Sequence, residues 1–308
     1  MNTMRVVFAG SPDVAAQVMA HLLNSGVTLS AVISQPDRPV GRKKVVTATP
    51  VSQLAEQRGI ELYRPEDGKQ LTETLRQLRP DLVVAVAYGR ILRSEHLEIP
   101  AHGWWNLHFS LLPAYRGATP VQHALLAGER TTGVTVFRID HGLDTGDILG
   151  QRQHGIEPFS TAGDLLHQLG TLGAQLLVEL LALQAKGALQ SRSQEGEPSF
   201  APKLDRDAGR LDFHRPVAEV FRRWQAVTPE PGAFTPLRDR SGGLGIVTAR
   251  PSPDVVDLEP GVVNQRNDRV FVGCERGALE LITVHPGGKR PMPAMDWWRG
   301  AGQGAHCG

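Results

Sequence analysis

Three side chains between Asn106 and Asp144 have the types and spacing of a group-transfer site. Asn106 and His108 lie two apart at the end of the apolar run Trp104-Trp105-Asn106-Leu107-His108-Phe109. In an extended strand successive side chains alternate faces, so Asn106 and His108 share one face and Leu107 takes the other. An amide donor beside an imidazole suits a developing oxyanion and the proton that moves with it. Asp144 stands in Gly142-Leu143-Asp144-Thr145-Gly146-Asp147, where the glycines permit a tight turn that presents a carboxylate. Taken singly, these are a core histidine, a turn asparagine and a capping aspartate. Together they read as chemistry for acyl transfer to an amine.

The elements that must hold these residues alternate between strand and helix. Arg5–Ala9 is a short apolar run, and Ser11 and Pro12 fit the cap and first position of the helix that follows. Leu29–Ser34, Leu82–Ala85 and Trp105–Phe109 read as further strands, which indicates a Rossmann-like α/β fold with a parallel sheet. Gly10-Ser11-Pro12 lacks the G-x-G-x-x-G pattern, so no dinucleotide is expected there. Gly133–Arg138 and Asp147–Gln151 look like two more strands, and a leucine-rich helix spans Ala162 to Lys186. Beyond Asp205 the texture changes to a short helix, Val217–Trp224, and brief strands at Gly232–Thr235, Leu244–Thr248, Val270–Gly273 and Ala278–Val284. That pattern suggests a small OB-like β-barrel. The expected division is a catalytic domain over 1–188, a polar linker over 189–203, the barrel over 204–300 and a flexible glycine-rich tail over 301–308.

A chain of 308 residues is long enough for two cores. Hydrophobic residues make up 41% and charged residues 21%, an ordinary globular balance, and the net charge of +1 means that a nucleic-acid partner must be argued from local charge. One such place is the loop from Gln35 to Lys44, where Arg38, Arg42, Lys43 and Lys44 outnumber Asp37 and Pro36, Pro39 and Gly41 keep the backbone irregular. It follows a strand of the sheet that bears the site. Ligands of such sheets bind beyond the strand ends, so the loop is placed to grip phosphates of a large anionic substrate. Cys274 and Cys307 show no metal-ligand spacing and point to reduced thiols in the cytoplasm. No cluster of His, Cys and carboxylate suggests a metal. The N-terminus enters a strand at once, leaving no room for a signal peptide, and no apolar run approaches bilayer length, so no membrane is expected.

The run Ser110-Leu111-Leu112-Pro113-Ala114-Tyr115-Arg116-Gly117 narrows the reading. The pattern Asn106-x-His108-x-Ser110-Leu111-Leu112-Pro113, then Arg116-Gly117-Ala118-Thr119-Pro120 and Gly142-Leu143-Asp144-Thr145-Gly146-Asp147, closely resembles the folate-dependent formyltransferases. The resemblance covers nearly the whole chain. The opening Val6-Val7-Phe8-Ala9-Gly10-Ser11-Pro12 and the basic loop are similar to those of members that act on methionyl initiator tRNA. So are Ala201-Pro202-Lys203-Leu204, Thr228-Pro229-Glu230-Pro231-Gly232-Ala233 and the segment from Pro286 to Met292, in a second domain that shorter members lack. Ala114 stands where many members carry arginine. Arg90 and Arg93 flank Ile91-Leu92 where the family often has an apolar residue and a Pro-Lys pair.

The resemblance implies 10-formyltetrahydrofolate as formyl donor and the amino group of methionyl initiator tRNA as acceptor; a monomer is expected, and the chemistry needs no metal. In that chemistry Asn106 and a protonated His108 donate to the oxyanion. Asp144 favours the imidazolium and takes the amine's proton, directly or through water. By family position Tyr88, Gly89, Ile91, Leu92, Ser110, Leu111, Leu112, Pro113, Asp140 and Gly142 line the pterin slot. The cations expected against tRNA are Arg38, Arg42, Lys43 and Lys44, with Arg222, Arg223, Lys289 and Arg290 from the second domain. A glycinamide nucleotide or amino sugar nucleotide as acceptor would require neither the second domain nor the basic loop. A hydrolase of the formyl donor would share the three site residues, and a non-catalytic RNA-binding protein would require a broken site.

Overall fold

The computed structural model describes residues 4–40, 45–238 and 242–308. In chain order the first elements are β1 (Val6–Gly10), α1 (Asp13–Asn24), β2 (Leu29–Ile33), the hairpin β3 (Arg38–Val40) and β4 (Val45–Thr47), α2 (Pro50–Gln57) and β5 (Leu62–Tyr63). Then come α3 (Gly68–Leu78), β6 (Leu82–Val86), α4 (Ser94–Leu97), β7 (Trp104–His108), α5 (Pro120–Ala127), β8 (Thr131–Arg138), β9 (Ile148–Gly155) and α6 (Ala162–Ala185). The later elements are α7 (Val217–Val227), β10 (Phe234–Pro236), β11 (Gly243–Ser252), β12 (Val263–Arg266), β13 (Arg269–Gly273), β14 (Ala278–Pro286), β15 (Met292–Pro293) and α8 (Ala294–Trp297).

Packing divides the chain into two compact units that are not consecutive halves. One comprises residues 1–117, 131–155 and 166–200, the other 118–130, 156–165 and 201–308. This differs from the contiguous boundary expected at residue 188. The polar stretch expected as a linker is pinned to the first unit, where Arg192 pairs with Ile148 and the Ser199 carbonyl accepts from Arg116 N at 2.8 Å. Within the second unit α5 packs on α7. There Gln225 Nε2 also donates to the carbonyls of Pro158 and Ser160 at 3.0 and 2.9 Å.

The first unit is built on a seven-stranded sheet in the order β5-β2-β1-β6-β7-β8-β9. Its first five strands are parallel, and every residue of β1 and β6 is buried, as expected of strands covered on both faces. β8 and β9 run antiparallel, so the sheet is mixed. A parallel return after β7 needs a crossover laid on the sheet. The helix in that connection, α5, packs in the other unit instead. α6 approaches β7 closely at Gly173, where a Cβ would lie 2.6 Å from the Leu107 side chain. By length and composition α6 is apolar enough to cross a bilayer, contrary to the expectation that no run is, and half of its most apolar window is buried inside the protein. Within the basic loop expected to be irregular, Arg38–Val40 is a strand, β3, paired antiparallel with β4, while Arg42, Lys43 and Lys44 lie outside the described residues.

The second unit is an antiparallel sheet in the order β10-β11-β14-β13-β12, with β15 paired to β14. Its core includes Phe213, Trp224, Leu244, Val270, Leu281 and Trp297. The Trp224 indole nitrogen is satisfied by the Ile246 carbonyl at 3.0 Å, as a buried tryptophan requires. The expected flexible tail is instead the stave that closes this sheet into a barrel. Gly308 N donates to Pro236 and the His306 carbonyl accepts from Arg238 N on one side; Cys307 N donates to Gly261 and the Ala305 carbonyl accepts from Val263 N on the other. Ala305 and Cys307 are buried in the barrel core, so glycine-rich composition was a poor guide to mobility here.

Candidate active site

β7 delivers Asn106 and His108 through the alternation that the sequence implies. Asn106 sits opposite Ala85 of β6 and Phe137 of β8, and is half-buried. His108 pairs in register with Thr135, is buried, and meets the Phe137 ring edge-on at 6.4 Å. The His108 Nε2 lies 2.9 Å from the Tyr115 carbonyl, which can only accept, so this nitrogen carries the hydrogen. The other ring nitrogen, Nδ1, stands 3.8 Å from Asp144 Oδ2.

Asp144 comes from the connection between β8 and β9. Its backbone is left-handed, with φ of 52°, and Ala87 and Tyr115 share that conformation at 45° and 60°. Such residues cost of order 1–2 kcal/mol each and persist where surrounding contacts fix them. The fixing contacts are visible. Asp144 Oδ2 accepts from Gly117 N at 2.8 Å, and the Asp144 carbonyl accepts from Gln194 Nε2 at 2.7 Å. Gly146 packs so closely that a Cβ would fall 1.7 Å from the Arg138 carbonyl, which excludes any larger residue. Tyr115, Gly117 and Gln194 carried no assigned role in the sequence reading. The first two lie inside the quoted motif, but nothing in the sequence marks Gln194.

The electrostatics differ from the expectation that Asp144 makes His108 an imidazolium. Burial pushes the His108 pKa below its ordinary value of 6.5, and the opposing pulls of Asp144 and of the Tyr115 carbonyl do not overcome it. The resting ring is therefore neutral at pH 7, with Nδ1 a free acceptor facing a carboxylate.

The residues expected to line the pterin slot divide by position. Tyr88 follows β6, is buried and stacks on Trp104 at 6.4 Å. Its hydroxyl has no hydrogen-bond partner among the described residues, and burial raises its pKa against the opposing pull of Arg90. Gly89 has φ of 73°. Ile91 is 90% exposed, and Leu92 packs on the sheet core. Ser110 is buried and donates to the Ala114 carbonyl at 2.6 Å. Leu111 and Pro113 are half-buried, while Leu112 packs with Phe137 and Ile148. Asp140 accepts from Gly142 N at 3.0 Å and from Thr145 Oγ1 at 2.6 Å, which folds the start of the Asp144 loop.

Arg38 is exposed on the β3–β4 hairpin, and Lys289 and Arg290 are exposed between β14 and β15. Arg222 and Arg223 lie on α7 and line a cleft of about 380 Å³ within the second unit, together with Arg210, Arg215, Asp212 and Glu219. Arg210 and Arg215 were not singled out from sequence, because only the fold brings them to the α7 pair.

Residues 4–181 match the formyl transferase family, and residues 203–302 match the family's C-terminal domain. The chain is 45% identical over 300 residues to the methionyl-tRNA formyltransferase of Leifsonia xyli, covering 97% of this chain and 98% of that one. It is 45% identical to the enzyme of the same name from Thermobifida fusca, covering 97% and 96%, and 42% identical to that from Streptomyces coelicolor, covering 97% of each. Among solved structures, HypX from Aquifex aeolicus in complex with tetrahydrofolic acid superposes with a TM-score of 0.71 at 19% identity, over 96% of this chain and 47% of that one. The sugar 3N-formyl transferase WlaRD gives 0.67 at 17% identity, over 94% and 100%. With both of its domains matched by the family's own models over residues 4–181 and 203–302, the chain belongs to the formyl transferase family.

Proposed function

We propose that this chain transfers a formyl group from 10-formyltetrahydrofolate to the amino group of methionyl initiator tRNA, giving N-formylmethionyl-tRNA for translation initiation. The observation that carries this reading is likeness over both domains to enzymes named for that reaction, at 45% identity and 97% coverage. Two buried thiols without metal-ligand spacing suit the reducing cytoplasm in which that reaction belongs.

The folate co-substrate supplies the formyl group. Its slot is formed by Tyr88, Gly89, Ile91 and Leu92 after β6, by Ser110, Leu111, Leu112 and Pro113 after β7, and by Asp140 and Gly142. The buried Tyr88 with its hydroxyl and the exposed Ile91 and Leu143 fit a flat, partly polar ring system, which wants apolar walls and a few polar groups. Asn106 donates to the formyl oxygen as charge develops there. His108, neutral at rest, takes the amine's proton at Nδ1, and the Asp144 carboxylate facing that atom stabilises the imidazolium so formed. In this order the proton arrives on His108 as the amine nitrogen bonds to the formyl carbon, and it passes on to the folate N10 as the N10–carbon bond breaks and tetrahydrofolate leaves.

The RNA is gripped by Arg38 of β3 and by Arg42, Lys43 and Lys44, which follow it in sequence, and by Arg222, Arg223, Lys289 and Arg290 of the second unit. Arg210 and Arg215 join the α7 pair in one cleft. The deciding experiment supplies 10-formyltetrahydrofolate with charged and uncharged initiator tRNA. Formylmethionine should form only on the charged tRNA. Formate released without an acceptor, or formylation of an amino sugar nucleotide in its place, would overturn the reading.

A further inference from the structure

Between Gln190 and Phe200 every residue is exposed except Gln194. Its carboxamide uses all of its common hydrogen-bonding capacity. Nε2 donates to the carbonyls of Asp144 and Gly146 at 2.7 and 2.9 Å, and Oε1 accepts from Arg116 Nε and Nη2 at 3.2 and 2.7 Å. The two loops so joined are the two that define the active pair. One carries Asp144 itself. The other presents the Tyr115 carbonyl to His108 and the Gly117 amide to the Asp144 carboxylate. The same segment holds the second loop again through Ser199, whose Oγ accepts from Tyr115 N at 2.8 Å. Only a side chain that both donates and accepts can make this bridge. A glutamate could accept from Arg116 but would turn a carboxylate toward two carbonyls, and a leucine of similar size could do neither.

We infer that Gln194 is a positioning residue for the transfer reaction, holding the Asp144 carboxylate at its station opposite His108 Nδ1. This rests on the reading of that pair as the proton-handling groups. A left-handed aspartate without this tie has no other hydrogen bond to its own carbonyl among those described, and the loop would relax toward ordinary backbone conformations. A displacement of about 1 Å at a reacting group can cost on the order of a hundredfold in rate.

The test uses the full chain with Gln194→Leu and Gln194→Glu. Three quantities are measured: kcat with charged initiator tRNA, the Kd for tetrahydrofolate, and hydrogen exchange at the Gly117 amide. The expected result for both variants is a fall in kcat of about ten- to a hundredfold. The Kd should stay within about twofold, while exchange at Gly117 rises by at least about tenfold as its bond to Asp144 opens. An unchanged kcat, unchanged exchange at Gly117, or folate affinity lost in step with kcat would each overturn the assignment. If the wild-type chain formylates no tRNA, the functional reading fails separately, and Gly117 exchange still decides whether Gln194 holds the Asp144 loop.

Discussion

His108 Nδ1 stands 3.8 Å from Asp144 Oδ2, just outside hydrogen-bond reach, while Nε2 is already committed to the Tyr115 carbonyl. The Asp144 oxygen is meanwhile held by the Gly117 amide. The pair is thus neither a formed salt bridge nor two unrelated groups. It is a neutral base and a fixed anion separated by a gap that one added proton would close.

His108→Ala and Asp144→Asn are each expected to reduce kcat by about 10²–10⁴-fold, the usual reach of positioned acid–base groups. Binding of charged tRNA, measured by filter retention, should change little, because these groups act at the reacting centre. A variant with single-turnover rates near wild type removes that residue from the mechanism.

The pH dependence follows from the direction of the His108 shift. Its pKa lies below 6.5 in the folded protein, so the base form is complete at neutral pH and the acid limb of kcat/KM should fall below 6.5. The unfolded chain takes up this proton near 6.5, before the folded chain does. The contribution of His108 to stability is therefore present above 6.5 and is lost as pH falls through 6.5 toward the folded pKa. In Asp144→Asn the raising pull disappears, and titration of the His108 ring followed by NMR should move lower still. Movement upward would contradict the assigned balance of burial and charge.

Neutralising Arg38, Arg42, Lys43 and Lys44 together should weaken use of tRNA and flatten its salt dependence. Each lost phosphate contact removes about 0.7–0.9 from the slope of log K against log salt. Tetrahydrofolate binding should be untouched. Equal slopes in variant and wild type would make these four charges merely solvated.

Arg210→Ala with Arg215→Ala should weaken tRNA binding as much as Arg222→Ala with Arg223→Ala, since all four line one cleft. Substitution is the right instrument here. A cut within residues 189–203 would leave α5 without α7, its partner in the second unit, and report on misfolding instead of binding. Intact tRNA affinity in both double variants would make the cleft incidental.

Burial pushes the thiols of Cys274 and Cys307 up to about 12, so both should resist alkylation in the native state. Gly261→Ala should expose Cys307 selectively. Gly261 has φ of 84°, and a Cβ there would lie 2.3 Å from the Cys307 carbonyl. Labelling of Cys307 ahead of Cys274 by mass spectrometry is the expected outcome; equal rates would show that the stave is not a separable element.

The sequence revealed β1, β6 and β7 because buried parallel strands are continuous apolar runs, and it revealed Asn106, His108 and Asp144 because strand alternation and flanking glycines are local signals. The direction of β8 was not legible, since it depends on where α5 packs and not on any period within β8 itself. The burial of His108 was not legible, because a neighbouring carboxylate is visible in a motif while the depth of burial is not. Gln194 was invisible for a related reason. Its partners lie 78 and 50 residues away in sequence, and a glutamine in a polar stretch looks like solvated surface.

The stave formed by residues 305–308 lies between strands synthesised long before it, with the segment at 236–238 on one side and that at 261–263 on the other. During synthesis both neighbours therefore leave the ribosome with one unpaired edge each. Unpaired edges are where strands from different chains join. Until residues 305–308 emerge, the nascent barrel is an open sheet, and the vulnerable interval ends only when this stave has docked.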